Sequence, residues 1–219
     1  MAGYFTQKTG EFLWELALNN ERPWFQAHKE AFETFVNKPL KSMAFETLAL
    51  MRDRHPEEDF GLHVCRIYRD ARRLFGRGPY KENMWFTIKD GDPKAQGPCF
   101  WFEITPSDCS FGMGTWDMTA KQAQNYRDRI DAAPARFEQM VKDLLAHGDV
   151  RLWGDEYKRP KGDRGAFLNP WYNRKSLSAG FTVEYGEEIT PERIADSFEW
   201  FLPLFRFLRD VCVTMEESE

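Results

Sequence analysis

Apolar residues recur at helical spacing through the N-terminal part of the chain, and further on they switch to alternation. Thr9 is placed to cap a first helix carrying Phe12, Leu13 and Leu16, which ends near Asn19-Asn20. Asn20 and Pro23 then signal a second helix, with Phe25, His28, Phe32 and Phe35 along one stripe. Pro39 closes it and opens a third, with Leu40, Met43, Thr47, Leu48 and Met51 on one side and His55-Pro56 as its stop.

The middle of the chain reads as strands. Leu62 to Tyr68 and Met84 to Ile88 are short extended candidates, and Phe100, Phe102 and Ile104 alternate with Trp101 and Glu103. Ser110 to Met113 follows, with Gly112 and Gly114 at its end. Short Gly/Pro connections favour antiparallel pairing, because parallel strands need long crossovers. Thr119 and Gln122 form a capping box for a helix through Ile130. Pro134 starts another helix, ended by Gly148, and Lys158 to Asn169 reads as loop. Phe181, Val183 and Tyr185 alternate, and Thr190-Pro191-Glu192 opens a last helix that Pro203 should bend or split. The acidic end, Glu216 to Glu219, reads as a frayed tail. Helices, strands and then mixed elements predict one α+β domain over 1–219. Its antiparallel sheet should have about five to seven strands, backed by helices from the N-terminal, middle and C-terminal segments.

Composition narrows the function classes. With 219 residues and 19 Phe, 8 Trp and 7 Tyr, the chain can build a substantial core. No apolar run approaches the ~20 residues that span a bilayer, so no membrane partner is expected. The N-terminus lacks a secretory apolar region, and Cys65, Cys99, Cys109 and Cys212 lie far apart with no C-x-x-C pair, so a reducing cytoplasm is the expected location. A net charge of -5 disfavours a duplex-DNA binder. Oligomeric state is not written in the sequence.

Several familiar chemistries have no motif here. His28, His55, His63 and His147 share no metal-ligand spacing, and no metal or cofactor is expected. Phosphate-binding glycine motifs and the G-x-S-x-G nucleophile turn are absent. Tyr68-Arg69-Asp70 resembles part of a kinase catalytic loop, but Phe75 occupies the position where that loop needs an Asn.

Charge is distributed unevenly. Arg66 to Lys81 holds six basic residues against Asp70, which gives +5 in a chain of -5 and leaves -10 for the remainder. Guanidinium forks fit phosphate and carboxylate oxygens. Two readings follow. In one, the arginines bridge to carboxylates of the protein itself. In the other, Arg66, Tyr68, Arg69, Tyr80 and Lys81 line an anion-binding concavity around Gly76, Gly78 and Pro79. A second basic patch, Lys158, Arg159, Lys161 and Arg164 with Arg174-Lys175, would join it if the fold brings the two together. Asp70 and His28 are the candidate proton-transfer groups. A different class of function uses the same arginines to track a single-stranded nucleic acid or a protein partner, with Trp24, Trp116 and Trp171 as stacking surfaces.

Several blocks, taken in order, carry a family resemblance. They are F-L-W-E-L-A-L-N-N-E-R-P-W-F-Q-A-H-K with Asn20, Trp24, Phe25 and Lys29; R-I-Y-R-D at Arg66 to Asp70; and G-P-Y-K at Gly78 to Lys81. G-M-G-T-W at Gly112 to Trp116 follows, with Arg127 and Ile130, then R-P-K-G at Arg159 to Gly162 and R-K-S-L at Arg174 to Leu177. The chain resembles the domain-of-unknown-function family 2461 over nearly its whole length. Its stretch Arg73 to Gly78 departs from the usual family sequence by losing a second acid, which leaves Asp70 as the segment's only carboxylate. The resemblance implies a compact α+β domain and marks these loops, without implying an activity, cofactor or partner.

Overall fold

The computed structural model describes residues 4–116 and 118–213, with the backbone only at Arg73 and Val213. The acidic end from Glu216 lies outside these residues. The element order is α1 (Gln7–Leu18), α2 (Arg22–Ala27), α3 (Lys29–Phe32), a π turn (Glu33–Asn37), α4 (Lys38–Arg54), β1 (Phe60–Val64), a 3-10 turn (Ala71–Arg73), β2 (Met84–Asp90), β3 (Cys99–Ile104) and β4 (Asp108–Thr115). Then come α5 (Ala120–Ala132), α6 (Pro134–Leu145), β5 (Arg151–Trp153), α7 (Gly165–Tyr172), β6 (Leu177–Glu184) and α8 (Pro191–Val213).

The fold is α+β, with one six-stranded sheet ordered β1-β2-β3-β4-β6-β5. Strands β1 and β2 are antiparallel with Leu62 opposite Ile88, and β5 and β6 are antiparallel with Leu152 opposite Ala179. The chain separates into two compact units. Unit 1 is Met1–Pro93, Trp101–Phe111 and Thr182–Ala195, and unit 2 is Lys94–Phe100, Gly112–Phe181 and Asp196–Glu219.

Unit 1 is held by aromatic packing on the alternating strand residues. Phe102 stacks on Phe5 at 5.3 Å and on Phe86 at 5.4 Å between ring centroids. Leu13, Leu16, Leu40 and Met43 are fully buried, as the helical stripes require. A fully buried Phe or Leu contributes roughly 1.5–3 kcal/mol relative to exposure. Gly10 allows α1 to approach closely: a Cβ there would stand 2.7 Å from the Pro106 carbonyl oxygen and 2.8 Å from the Tyr185 ring. In unit 2, Phe100 stacks on Phe198 and Phe205 at 4.9 and 4.6 Å, and the Tyr126 hydroxyl donates to the Trp171 carbonyl.

Four local expectations change. Helix α1 is capped by Thr6, with Thr9 as the reciprocal partner three positions inside. Residues Gly165 to Asn169 lie within α7, where Pro170 sits inside the helix. Helix α8 runs through Pro203 as one element. Gly112 and Gly114 lie within β4, where the strand passes so near β6 that a Cβ on Gly112 would stand 2.0 Å from the Ala179 carbonyl oxygen. That close approach accounts for the G-x-G spacing.

Candidate functional site

In unit 1, the segment after β1 folds back on itself through a single antiparallel bridge between Tyr68 and Tyr80. Arg69 N–H donates to the Pro79 carbonyl and Lys81 N–H to the Ile67 carbonyl, each at 2.8 Å. The Asn20 side chain acts as an additional strand. Its carboxamide oxygen accepts from Tyr80 N–H at 2.9 Å, and its nitrogen donates to the Tyr80 carbonyl at 3.0 Å. This is why position 78 is glycine: a Cβ there would stand 2.3 Å from the Asn20 carboxamide. Helix α2 begins beside that clamp, with Pro23 in its first turn. It lays Phe25 flat on the Tyr80 ring at 4.2 Å.

The bridge brings Arg66, Tyr68, Arg69, Tyr80 and Lys81 together, with different surroundings. Arg69 is largely buried; it donates to the Tyr80 carbonyl at 2.7 Å and to Glu82 at 3.0 Å. The Lys81 ammonium donates to the Arg66 carbonyl oxygen. The Arg66 side chain is exposed and makes no hydrogen bond or ion pair among the described residues. Tyr68 is 55% exposed. The Tyr80 ring is buried, and its hydroxyl has no hydrogen-bond partner among the described residues. Burial and then Tyr68 push the Tyr80 phenol up, while the positive charge of Arg22 pulls it down. Arg22, at the start of α2, is exposed and has no hydrogen-bond or ion-pair partner among the described residues. Sequence reasoning missed it as a candidate, although it stands in the E-R-P-W stretch that begins the helix.

Both proton-transfer candidates are engaged. Asp70 takes Arg72 in a fork, at 3.0 Å from Nε and 2.8 Å from Nη2, and also accepts from Arg72 N–H. His28 is half-buried, stacked on Trp24 at 4.1 Å, with Nδ1 placed 2.8 Å from the Trp24 carbonyl. Cys65 is buried, and burial pushes its pKa up.

Unit 2 contains a second bridge of the same kind, Glu156 with Arg174. Here Asn173 is the clamp: its carboxamide accepts from Lys161 N–H at 2.7 Å and donates to the Gly162 carbonyl at 3.0 Å. Arg174 is buried, and it donates to the carbonyls of Pro170 and Gly154 and to Glu156. Lys175 is exposed and stands 5.9 Å from the Tyr157 ring centroid, with Lys161 at 4.8 Å and the Arg127 guanidinium at 5.4 Å. Arg164 forks onto Asp131 at 2.5 and 2.7 Å. That ion pair, together with the Tyr172 hydroxyl, holds the Asp131 carboxyl below its ordinary range. Tyr157 had no place in the sequence reading; its signal was a lone aromatic among K-R-P-K and R-K. Of the three candidate stacking tryptophans, Trp171 is 3% exposed and offers no free face, Trp24 is half-buried against His28, and Trp116 is exposed.

Among the described residues, no group of three or more His, Cys, Asp or Glu is placed to hold a metal, and no helix is long and apolar enough to cross a membrane. The sequence model of one family, described as "Conserved hypothetical protein (DUF2461)", matches residues 8–207. No curated protein matches the chain.

Proposed function

We propose that this chain, which belongs to the DUF2461 family, binds a small phosphate- or carboxylate-bearing ligand on the Tyr68–Tyr80 bridge of unit 1. The observation that carries this reading is the Tyr80 hydroxyl. It is a polar group on a buried ring, without a protein partner, and the charge of Arg22 acts on it. A hydroxyl that reaches solvent without a protein partner among the described residues, and that lies in the field of Arg22, suits an anion. In this reading Arg22 and Arg66 supply charge, Tyr68 and Tyr80 supply hydroxyl donors, and Lys81 supplies its remaining N–H groups. Arg69, held by Tyr80 and Glu82, keeps the bridge in register.

Proton transfer would be a further step. Asp70 would first release Arg72, and His28 would work through Nε2, because Nδ1 faces the Trp24 carbonyl. A thermal-shift titration with phosphorylated and carboxylated metabolites tests the binding. The wild type should give a saturable rise in Tm, and Arg22→Ala with Arg66→Ala should remove it. A wild type that responds to no anion sinks the proposal.

The single-strand or protein-partner reading has one observation in its favour. Phe75, in the same basic segment, is 83% exposed and holds φ 47°. A bulky residue in that backbone region is strained, and displayed strain of this kind collects at working loops. Strand binding would weaken with salt by a slope of about -0.7 per phosphate contacted, whereas a single small anion would show a shallow dependence.

A further inference from the structure

Unit 2 carries its own concentration of positive charge. Arg127, Lys161 and Lys175 all lie over the ring of Tyr157, at 5.4, 4.8 and 5.9 Å from its centroid. No two of them can then be more than about 11 Å apart, so three positive charges gather around one ring. A Tyr ring attracts each cation only weakly, by roughly 0.5–1 kcal/mol at an exposed position. It does not neutralise them.

Arg127 makes the arrangement unusual. It is 5% exposed and has no ion pair among the described residues. Its guanidinium donates to Gln124 Oε1 at 2.7 Å and reaches the Tyr157 hydroxyl at 3.5 Å. The charge of Asp131 reaches Arg127 without a bond between them, and the neighbouring carboxylates make their hydrogen bonds elsewhere. Asp131 has both oxygens on Arg164, Glu156 accepts from Arg174, and Asp163 accepts from Gly165 N–H and Asn169. A buried guanidinium without a bonded carboxylate is costly, and a bound anion would relieve it. The clamp by Asn173 fixes the backbone that carries Lys161, and the Lys175 N–H is tied to the Asp155 carbonyl at 2.7 Å. Both lysine side chains are exposed arms on a fixed frame.

We infer that Arg127, Lys161 and Lys175, gathered over Tyr157, form a second anion site that takes a multiply charged phosphate group of the diphosphate class. The lysines contact the oxygens, and Arg127 supplies standing positive charge behind them. Because cations cover the Tyr157 ring, the ligand is recognised by its phosphates and not by a stacked base. Free pyrophosphate and a nucleoside diphosphate are therefore bound alike.

The test is calorimetric titration of the full chain with inorganic pyrophosphate, with adenosine diphosphate as a second arm. The wild type should bind both saturably with similar affinity, and Lys161→Ala or Lys175→Ala should each weaken binding roughly tenfold or more. These surface lysines can be removed without touching the core. The variant Arg22→Ala plus Arg66→Ala should bind pyrophosphate as the wild type does. Three results overturn the inference: no saturable heat with pyrophosphate, unchanged affinity in the combined lysine variant, or loss of pyrophosphate binding in the Arg22/Arg66 variant. The last would assign diphosphate to the unit 1 face and leave the reading of that face intact.

Discussion

The two bridges are built from the same parts and end with different charge. Each is a single residue pair with an asparagine carboxamide beside it: Asn20 grips the bridge residue Tyr80 in unit 1, and Asn173, next to Arg174, grips Lys161 and Gly162 in unit 2. Each also has an arginine turned inward onto main-chain carbonyls and one glutamate, Arg69 with Glu82 and Arg174 with Glu156. In unit 1 tyrosine hydroxyls border the bridge, while in unit 2 a tyrosine ring is surrounded by cations. A basic motif thus contains two populations. Arg69 and Arg174 are architecture, while Arg22, Arg66, Lys161 and Lys175 stay exposed.

That division can be broken by substitution, and the largest effect is expected at Arg174. Arg174→Met leaves two carbonyls without their donor, and should lower stability by about 2–4 kcal/mol in denaturant melts. Arg69→Met, which removes one carbonyl contact and a half-exposed glutamate partner, should lose less. Equal losses would dissolve the contrast. Gly78→Ala drives a methyl into Asn20, and should cost about 1–3 kcal/mol. Combining it with Asn20→Ala should recover part of that loss, and a double variant showing the sum of both losses would refute the contact. Asn173→Ala alone should cost about 1–2 kcal/mol, because two main-chain groups lose their partner.

Acid sharpens the comparison from the unit 2 side. The Asp131 carboxyl is held below its ordinary value of 3.8, first by the Arg164 bond. Its stabilising contribution is fully present above the unfolded-state pKa and is lost as pH falls through the lower folded-state pKa. Asp131→Asn should therefore flatten the acid limb of a stability-versus-pH curve and change little at neutral pH beyond a constant offset. An acid limb identical to the wild type would show the pair contributes nothing. The smallest effect is expected at Phe75. Phe75→Gly removes strain at φ 47° from a side chain with few contacts, and should stabilise by roughly 0.5–1 kcal/mol.

Much of the frame was legible because it depends on local rules. The Thr119–Gln122 box, the Pro39 and Pro134 helix starts and the alternation through Phe100 to Ile104 are all present. Legibility ended where a distant backbone decides. The glycines of β4 looked like a strand end, because nothing in the sequence announces that Ala179 lies against Gly112. Segment Gly165 to Asn169 looked like loop, because Pro160, Gly162 and Gly165 outweighed the apolar residues Leu168, Trp171 and Tyr172 that bury α7. For the site, basic residue density was visible, but each arginine's partner was not. Arg69 and Arg66 are three positions apart and have different fates, one bound to Glu82 and one exposed. Arg127 was visible only as part of a family block, since a helix interior gives no sign that its arginine faces a tyrosine from another segment.

The notch at Gly10 has a consequence for biosynthesis. Helix α1 fits closely against Pro106 and Tyr185, and unit 1 is completed only by residues Thr182–Ala195. A chain emerging from the ribosome must therefore hold α1 without one of its neighbours until Tyr185 has been made. Over that interval the Gly10 face of α1 stays open to solvent, and the late-made segment carrying Tyr185 is what closes it.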